Sequence, residues 1–240
     1  MMRLKVSLTC KVIPLSYRFM FVSFIKEALK TSNVVYAENL YIFENKSNKK
    51  SKNFTFSVYL KDYVLENDEF LLQNGLDWII SSPDPEFISY LVDGLNEIKE
   101  FQYKGYKLQK KNISILPEVK VKSDTVVFRT LSPIFIKDRD GKHLAPTEEG
   151  YEESFNYICD MTLRNYHGEG LKKPLQFIPM NLTKQVVKEK FDNPPNHQHF
   201  EAYKGTFLLK GDQEDLEILR QIGTSFKKSQ GYGCVSVEYQ

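Results

Sequence analysis

The sequence predicts an α+β chain of two βαββαβ units in tandem, residues 1–120 and 121–240. Three observations predict it. Short segments of alternating apolar and polar residues recur along the chain, as half-buried strands require. Helical patterns with i, i+3, i+4 apolar spacing fall between them. The second half then repeats the order of the first. Units of this order are ferredoxin-like, an arrangement that hosts many functions and decides none.

Residues 3–12 (RLKVSLTCKV) alternate Leu4, Val6, Leu8, Cys10 and Val12 with polar partners and read as the first strand. Pro14 opens a helical segment to about Thr31. Its apolar stripe is Met20, Phe21, Phe24, Ile25, Ala28 and Leu29, with Lys26, Glu27 and Lys30 opposite. Residues 38–44 and 53–61 read as two strands joined by the polar loop 45–52 (NKSNKKSK). Residues 68–73 and 76–81 flank Asn74-Gly75, which predicts an inserted hairpin on a type I′ turn, with Trp78 in it and packed in the core. Pro85 starts a second helix, apolar at Phe87, Ile88, Leu91, Val92, Leu95 and Ile98. Residues 100–116 return as extended chain.

The second unit begins with a strand region at 124–136. A helix follows at 148–165, with Tyr151, Phe155, Ile158, Cys159 and Thr162 on one face. Segments 175–188 and 198–210 are extended. Asp212 is a good N-cap for a short helix carrying Leu216, Leu219 and Ile222, and Gly223 ends it in the left-handed region. Residues 233–239 alternate as a last strand.

Lys plus Arg is 33 and Asp plus Glu is 31, so a surface for nucleic acid has to come from local clustering. Cys10, Cys159 and Cys234 are widely spaced, which fits buried thiols in a reducing compartment and no disulfide framework. Apolar runs are broken by charge too early for a membrane span, and residues 1–10 lack a signal-peptide core, so the expected location is the cytoplasm, with no membrane partner. No phosphate-binding loop, dinucleotide fingerprint or zinc motif is present. His197 and His199 would share a strand face, but no third and fourth ligand stands at a recognisable spacing. No metal and no cofactor are therefore expected. His143, in DRDGKH, reads as a turn residue, and His167 lies near a helix end.

The most informative run is 222–238, IGTSFKKSQGYGCVSVE. Gly223, Gly231 and Gly233 permit positive φ and close backbone approach. Lys227 and Lys228 add charge, so exposed N–H groups and ammonium groups together suit a phosphate chain. The plain alternative is a helix end and a tight loop into the last strand. Lysines also gather at 46–52, at 104–111 beside Tyr103 and Tyr106, at 172–173 and at 184–190. Such groups bind phosphate in a groove, with nearby aromatics to stack bases, or simply form a solvated surface.

This run resembles the glycine-rich loop of the CRISPR repeat-processing endoribonucleases of the RAMP superfamily. TLSPIFIK (130–137) is similar to the strand that opens the family's second domain, residues 14–33 to its first helix, and SKNFTFSVYL (51–60) to its third strand. Ser225 departs from the pattern, standing where many members have a second glycine. The resemblance implies a protein that binds CRISPR repeat RNA and cuts precursor CRISPR RNA without a metal. Attack by a ribose 2′-OH would leave 2′,3′-cyclic phosphate and 5′-OH ends. Family members often use a helix tyrosine, a histidine after the first helix and a lysine before the third strand. Here Lys52 matches the lysine, Lys26 occupies the helix position, and the histidine position falls near Tyr41. No histidine precedes His143. The implied catalytic set is Lys52 and Lys26, stabilising phosphate charge, with Tyr41 or Tyr36 positioning or shuttling a proton. The implied RNA-binding set is Lys46, Lys49, Lys50, Gly223, Lys227, Lys228, Ser229, Gly231 and Gly233. A chain without the histidine is either a slow nuclease or a non-cleaving repeat-RNA-binding subunit. The resemblance also implies an interference complex that receives or keeps the RNA, and it leaves monomer and homodimer open.

Overall fold

Alternation along Leu4, Val6 and Leu8 buries one face of strand β1 (Met2–Thr9) at the centre of the first sheet. The computed structural model describes residues 2–43, 46–47, 50–117, 119–192 and 195–240. After β2 (Val12–Pro14), helix α1 (Arg18–Ser32) buries Met20, Phe21, Phe24, Ile25, Ala28 and Leu29, the expected stripe. Helix α2 (Val34–Tyr41) and the short strands β3 (Ile42–Phe43) and β4 (Lys46–Ser47) follow. Then come β5 (Thr55–Leu60), β6 (Tyr63–Glu66), β7 (Glu69–Leu72), β8 (Leu76–Ser82), α3 (Pro85–Glu97), β9 (Glu100–Tyr103) and β10 (Tyr106–Leu116). The sheet order is β5-β8-β1-β10-β9, with every pairing antiparallel. Its first four strands, joined through α1 and α3, make one ferredoxin-like unit. Gly94 lets α3 close on α1, because a Cβ there would lie 1.7 Å from the Ala28 carbonyl oxygen.

Two expectations are corrected. Residues 38–44 are not a strand: Val34–Tyr41 is helical, and only Ile42–Phe43 is extended before the described chain breaks off. Asn33 decides this, since its side chain accepts the Tyr36 N–H and caps the helix. The inserted hairpin also turns elsewhere. β7 pairs with β6 and β2, while β8 pairs with β1 and β5. The turn is Asn67-Asp68, both at positive φ (50° and 62°), as a type I′ turn needs. Asn74-Gly75 passes the chain from one sheet to the other. Trp78 therefore sits on central β8, fully buried and stacked on Phe24.

The second unit runs β11 (Thr125–Thr130), α4 (Tyr151–His167), β12 (Gln176–Asp192), β13 (Pro195–Lys210), α5 (Gln213–Ile222) and β14 (Val235–Tyr239). Its sheet order, β12-β13-β11-β14, repeats the ferredoxin-like pattern. The expected strand at 124–136 ends at Thr130; beyond it only Ile134 bridges, to Tyr203. Asp212 caps α5 through the Glu214 and Asp215 N–H groups. Gly223 ends that helix at φ 99° and ψ 152°, a positive φ but outside the left-handed helical region that was expected. Each unit has its own apolar core, and a smaller cluster of Phe135, Val187, Phe200, Ala202 and Tyr232 lies under the long β12–β13 hairpin. Among the described residues no helix is long and apolar enough to cross a membrane.

Candidate active site

Tyr41, the last residue of α2, sits between two ammonium groups. Lys26 projects from α1 with Nζ 4.7 Å from the Tyr41 ring centroid, and Lys52 Nζ lies 5.8 Å from it. Such cations are held by the ring's negative face. Lys52 is only 7% exposed, and its amine donates to the Lys50 carbonyl at 2.7 Å. Burial, with the charge of Lys26, pulls Lys52 down to about 8. Lys26 is also lowered, by burial and then by Lys30. A lysine with a free pKa near 10 thus becomes one that trades its proton close to neutrality. The Tyr41 hydroxyl is buried with no hydrogen-bond partner among the described residues, and burial raises its pKa. It suits donating a hydrogen bond rather than acting as a base. Tyr36 is not drawn into this group. Its hydroxyl faces Asp84 at 3.5 Å and its ring packs on Tyr90; burial and Asp84 raise its pKa as well.

The run after α5 comes in against the same place from the second unit. Thr55 Oγ1 donates to the Tyr232 carbonyl (3.0 Å), Arg18 Nε to the Gly231 carbonyl (3.3 Å), and Lys228 Nζ to the Lys52 carbonyl. Glycine is required at 231, where φ is 84° and a Cβ would stand 2.7 Å from the Phe56 ring. Ser225, the departure from the family pattern, has its own work. Its hydroxyl accepts the Phe135 N–H and donates back to the Phe135 carbonyl, each at 2.9 Å, tying the loop to the 130–137 segment. Gly223, Gly231 and Gly233 are buried in this seam. So is Lys228, at 3% exposure. Lys227 and Ser229 remain half-exposed, with Lys227 Nζ 4.3 Å from the Phe200 ring centroid. Lys50 is exposed. Lys49 and the side chain of Lys46 lie outside the described residues.

Residues 116–237 match the family model of the CRISPR associated protein Cas6, C-terminal. The chain belongs to the Cas6 family. Cas6 proteins process CRISPR repeat RNA, and homologues in the family are endoribonucleases. Three solved structures share its fold. The product of a Cas6-related gene from Pyrococcus furiosus is 21% identical, with a TM-score of 0.79 over 100% of this chain and 99% of that one. A RAMP protein described as binding different RNA substrates is 18% identical, with a TM-score of 0.81 over 99% of each chain. A CRISPR associated protein Cas6 is 23% identical, with a TM-score of 0.76 over 98% of each. A search of curated proteins finds no match.

In this Cas6 chain the histidines stand apart from the Tyr41 group. His197 and His199 are exposed on β13, opposite Lys190 and Lys188, and no cluster of three metal-ligating side chains occurs among the described residues. His143 accepts the Glu201 N–H at 3.3 Å and packs against Phe135 and Phe200. His167 ends α4. A cleft of about 370 Å³ gathers Tyr103, Lys104, Lys188, Lys190 and His197, uniting two lysine groups far apart in sequence. Within it Lys188 pairs with Asp68 at 2.7 Å. Arg18 and Glu189, 3.6 Å apart and both buried, join the two units and were not anticipated. Single charged residues at the start of a helix and within a long strand give no periodic signal of burial.

Proposed function

We propose that this Cas6-family chain is a metal-independent endoribonuclease that cuts precursor CRISPR RNA within the repeat. A ribose 2′-OH gives its proton to solvent water and attacks the adjacent phosphate, the bond to the 5′-oxygen breaks, and the products carry 2′,3′-cyclic phosphate and 5′-OH ends. The observation that carries the reading is Lys52, partly desolvated and lowered to about 8, sharing Tyr41 with Lys26. Lys52, mostly protonated at neutral pH, gives its proton to the departing 5′-oxygen. Lys26 offsets charge on the phosphorane. Tyr41 positions both ammonium groups through its ring. Tyr36, earlier on α2, positions Tyr41 by bracing that helix against Asp84 and against Tyr90 of α3. Residues 1–120 form the domain that cuts and 121–240 the domain that closes on it. Lys46, Lys49, Lys50, Lys227 and Ser229 contact the RNA backbone near the cut, and the processed RNA passes to an interference complex.

One observation favours a second reading, a non-cleaving repeat-RNA-binding subunit: the Lys52 amine is buried and already engaged by the Lys50 carbonyl. Single-turnover assays on end-labelled repeat RNA in EDTA separate the two. The nuclease makes one discrete cut with cyclic-phosphate ends, and Lys52→Ala slows it about 10²-fold or more, the usual worth of a positioned acid. Tight, salt-sensitive binding with no cut supports the binding subunit. Absence of binding removes both.

A further inference from the structure

Lys228 turns its amine into the seam between the two units and not to solvent. Burying an ammonium group is unfavourable unless it is paired. Among the described residues no carboxylate pairs with Lys228; its partner is the main-chain carbonyl of Lys52. A methionine would fill the same space without the desolvation cost, so packing alone does not account for a lysine here.

We propose that Lys228 is the positioning residue for Lys52: it reaches in from the second unit, fixes the Lys52 carbonyl, and so sets where the Lys52 amine lies. This rests on the reading of Lys52 as the group that acts at the scissile phosphate. The local geometry is built for aim. Lys228 opens a single 3-10 turn, Lys228–Gln230, bracketed by left-handed residues Lys227 (φ 62°) and Gly231 (φ 84°). The Arg18 bond to Gly231, the Thr55 bond to Tyr232 and the Ser225 bonds to Phe135 hold that turn on both sides. Lys52 is thereby anchored twice, by its carbonyl to Lys228 and by its amine to the Lys50 carbonyl. Among the described residues, the titratable groups facing Lys52 include Lys26 from α1, Tyr41 from α2 and Lys228 from the loop. Those facing Lys228 are Lys52 and Cys159 from α4; burial brings Lys228 itself down to about 7.

The test uses the full chain and the variants Lys228→Met and Lys228→Gln. Three quantities are read: the single-turnover rate at saturating protein, the Kd with its salt dependence, and the titration midpoint of Lys52 by NMR of ¹³C-labelled lysines. In Lys228→Met the saturated rate falls about tenfold or more. The Kd stays within about twofold, and the Lys52 midpoint moves up by about one pH unit, further than in Lys228→Gln, which lacks the same charge but keeps the tether. Lys228→Gln, which keeps an N–H donor, recovers part of the rate; it also serves if Lys228→Met does not fold. Weaker binding with a salt slope reduced by about one, at an unchanged saturated rate, makes Lys228 a phosphate contact and overturns the proposal. Unchanged rate, binding and titration overturn it too. If the parent does not cut, the proposed function fails, while the Lys52 titration still decides whether the tether exists.

Discussion

A lysine in water holds its proton to about pH 10. Lys52 gives it up near 8, because burial disfavours the charged form and Lys26 adds repulsion. The acid is therefore stronger, and the cost is that it is spent sooner. With Lys52 as proton donor, the cleavage rate falls as pH rises through about 8, and the Lys52→Ala profile lacks that inflection. Single-turnover rates across pH 6 to 10 check it; a parent profile that only climbs through this range would remove Lys52 from the donor role. The phenols do not supply a base, since burial holds both Tyr41 and Tyr36 protonated.

At the scale of elements, the loop between α5 and β14 depends on backbone shapes that side chains resist. Gly231→Ala places a methyl group 2.7 Å from the Phe56 ring at φ 84°. The left-handed strain alone is roughly 1–2 kcal/mol, and the clash adds to it. Denaturant unfolding is expected to show a loss of about 2–4 kcal/mol. Elements with strong local signals were legible from the sequence: β1 by alternation, α3 by Pro85 and its stripe, and α5 by its Asp212 cap. Helix α2 was not, because Val34, Val35 and Tyr36 are strand-favouring residues and the cap at Asn33 outweighs them. The hairpin was shifted because Asn67-Asp68 and Asn74-Gly75 both accept positive φ; which pair turns back on itself is settled by sheet partners, not by the dipeptide. The Lys26–Tyr41–Lys52 grouping followed from the family pattern. The burial of Lys228 did not, since its partner lies 176 residues away.

On the scale of the whole molecule, buried bases and buried thiols set opposite slopes of stability with pH. Lys52 and Lys228 release protons in the fold that the unfolded chain keeps to about pH 10, so stability rises with pH from about 7 upward. Burial raises Cys10 to about 12 and Cys159 higher still. Unfolded thiols ionise near 8.5, so above about that pH the fold loses ground. The thermal midpoint is expected to climb from pH 7 to about 8.5 and then level or fall, with a smaller climb in Lys228→Met; scanning calorimetry reads this directly. The main-chain bonds that Arg3, Arg18, Thr55 and Lys228 make across the seam all involve residues from 220 to 235. That placement has a consequence in time. A ribosome adding about 5–20 residues per second needs roughly 9–35 s to travel from Lys52 to Lys228. Through that interval Lys26, Tyr41 and Lys52 have been made, but the tether has not. A nascent chain is therefore expected to cut RNA more slowly than the finished one until residue 228 is in place.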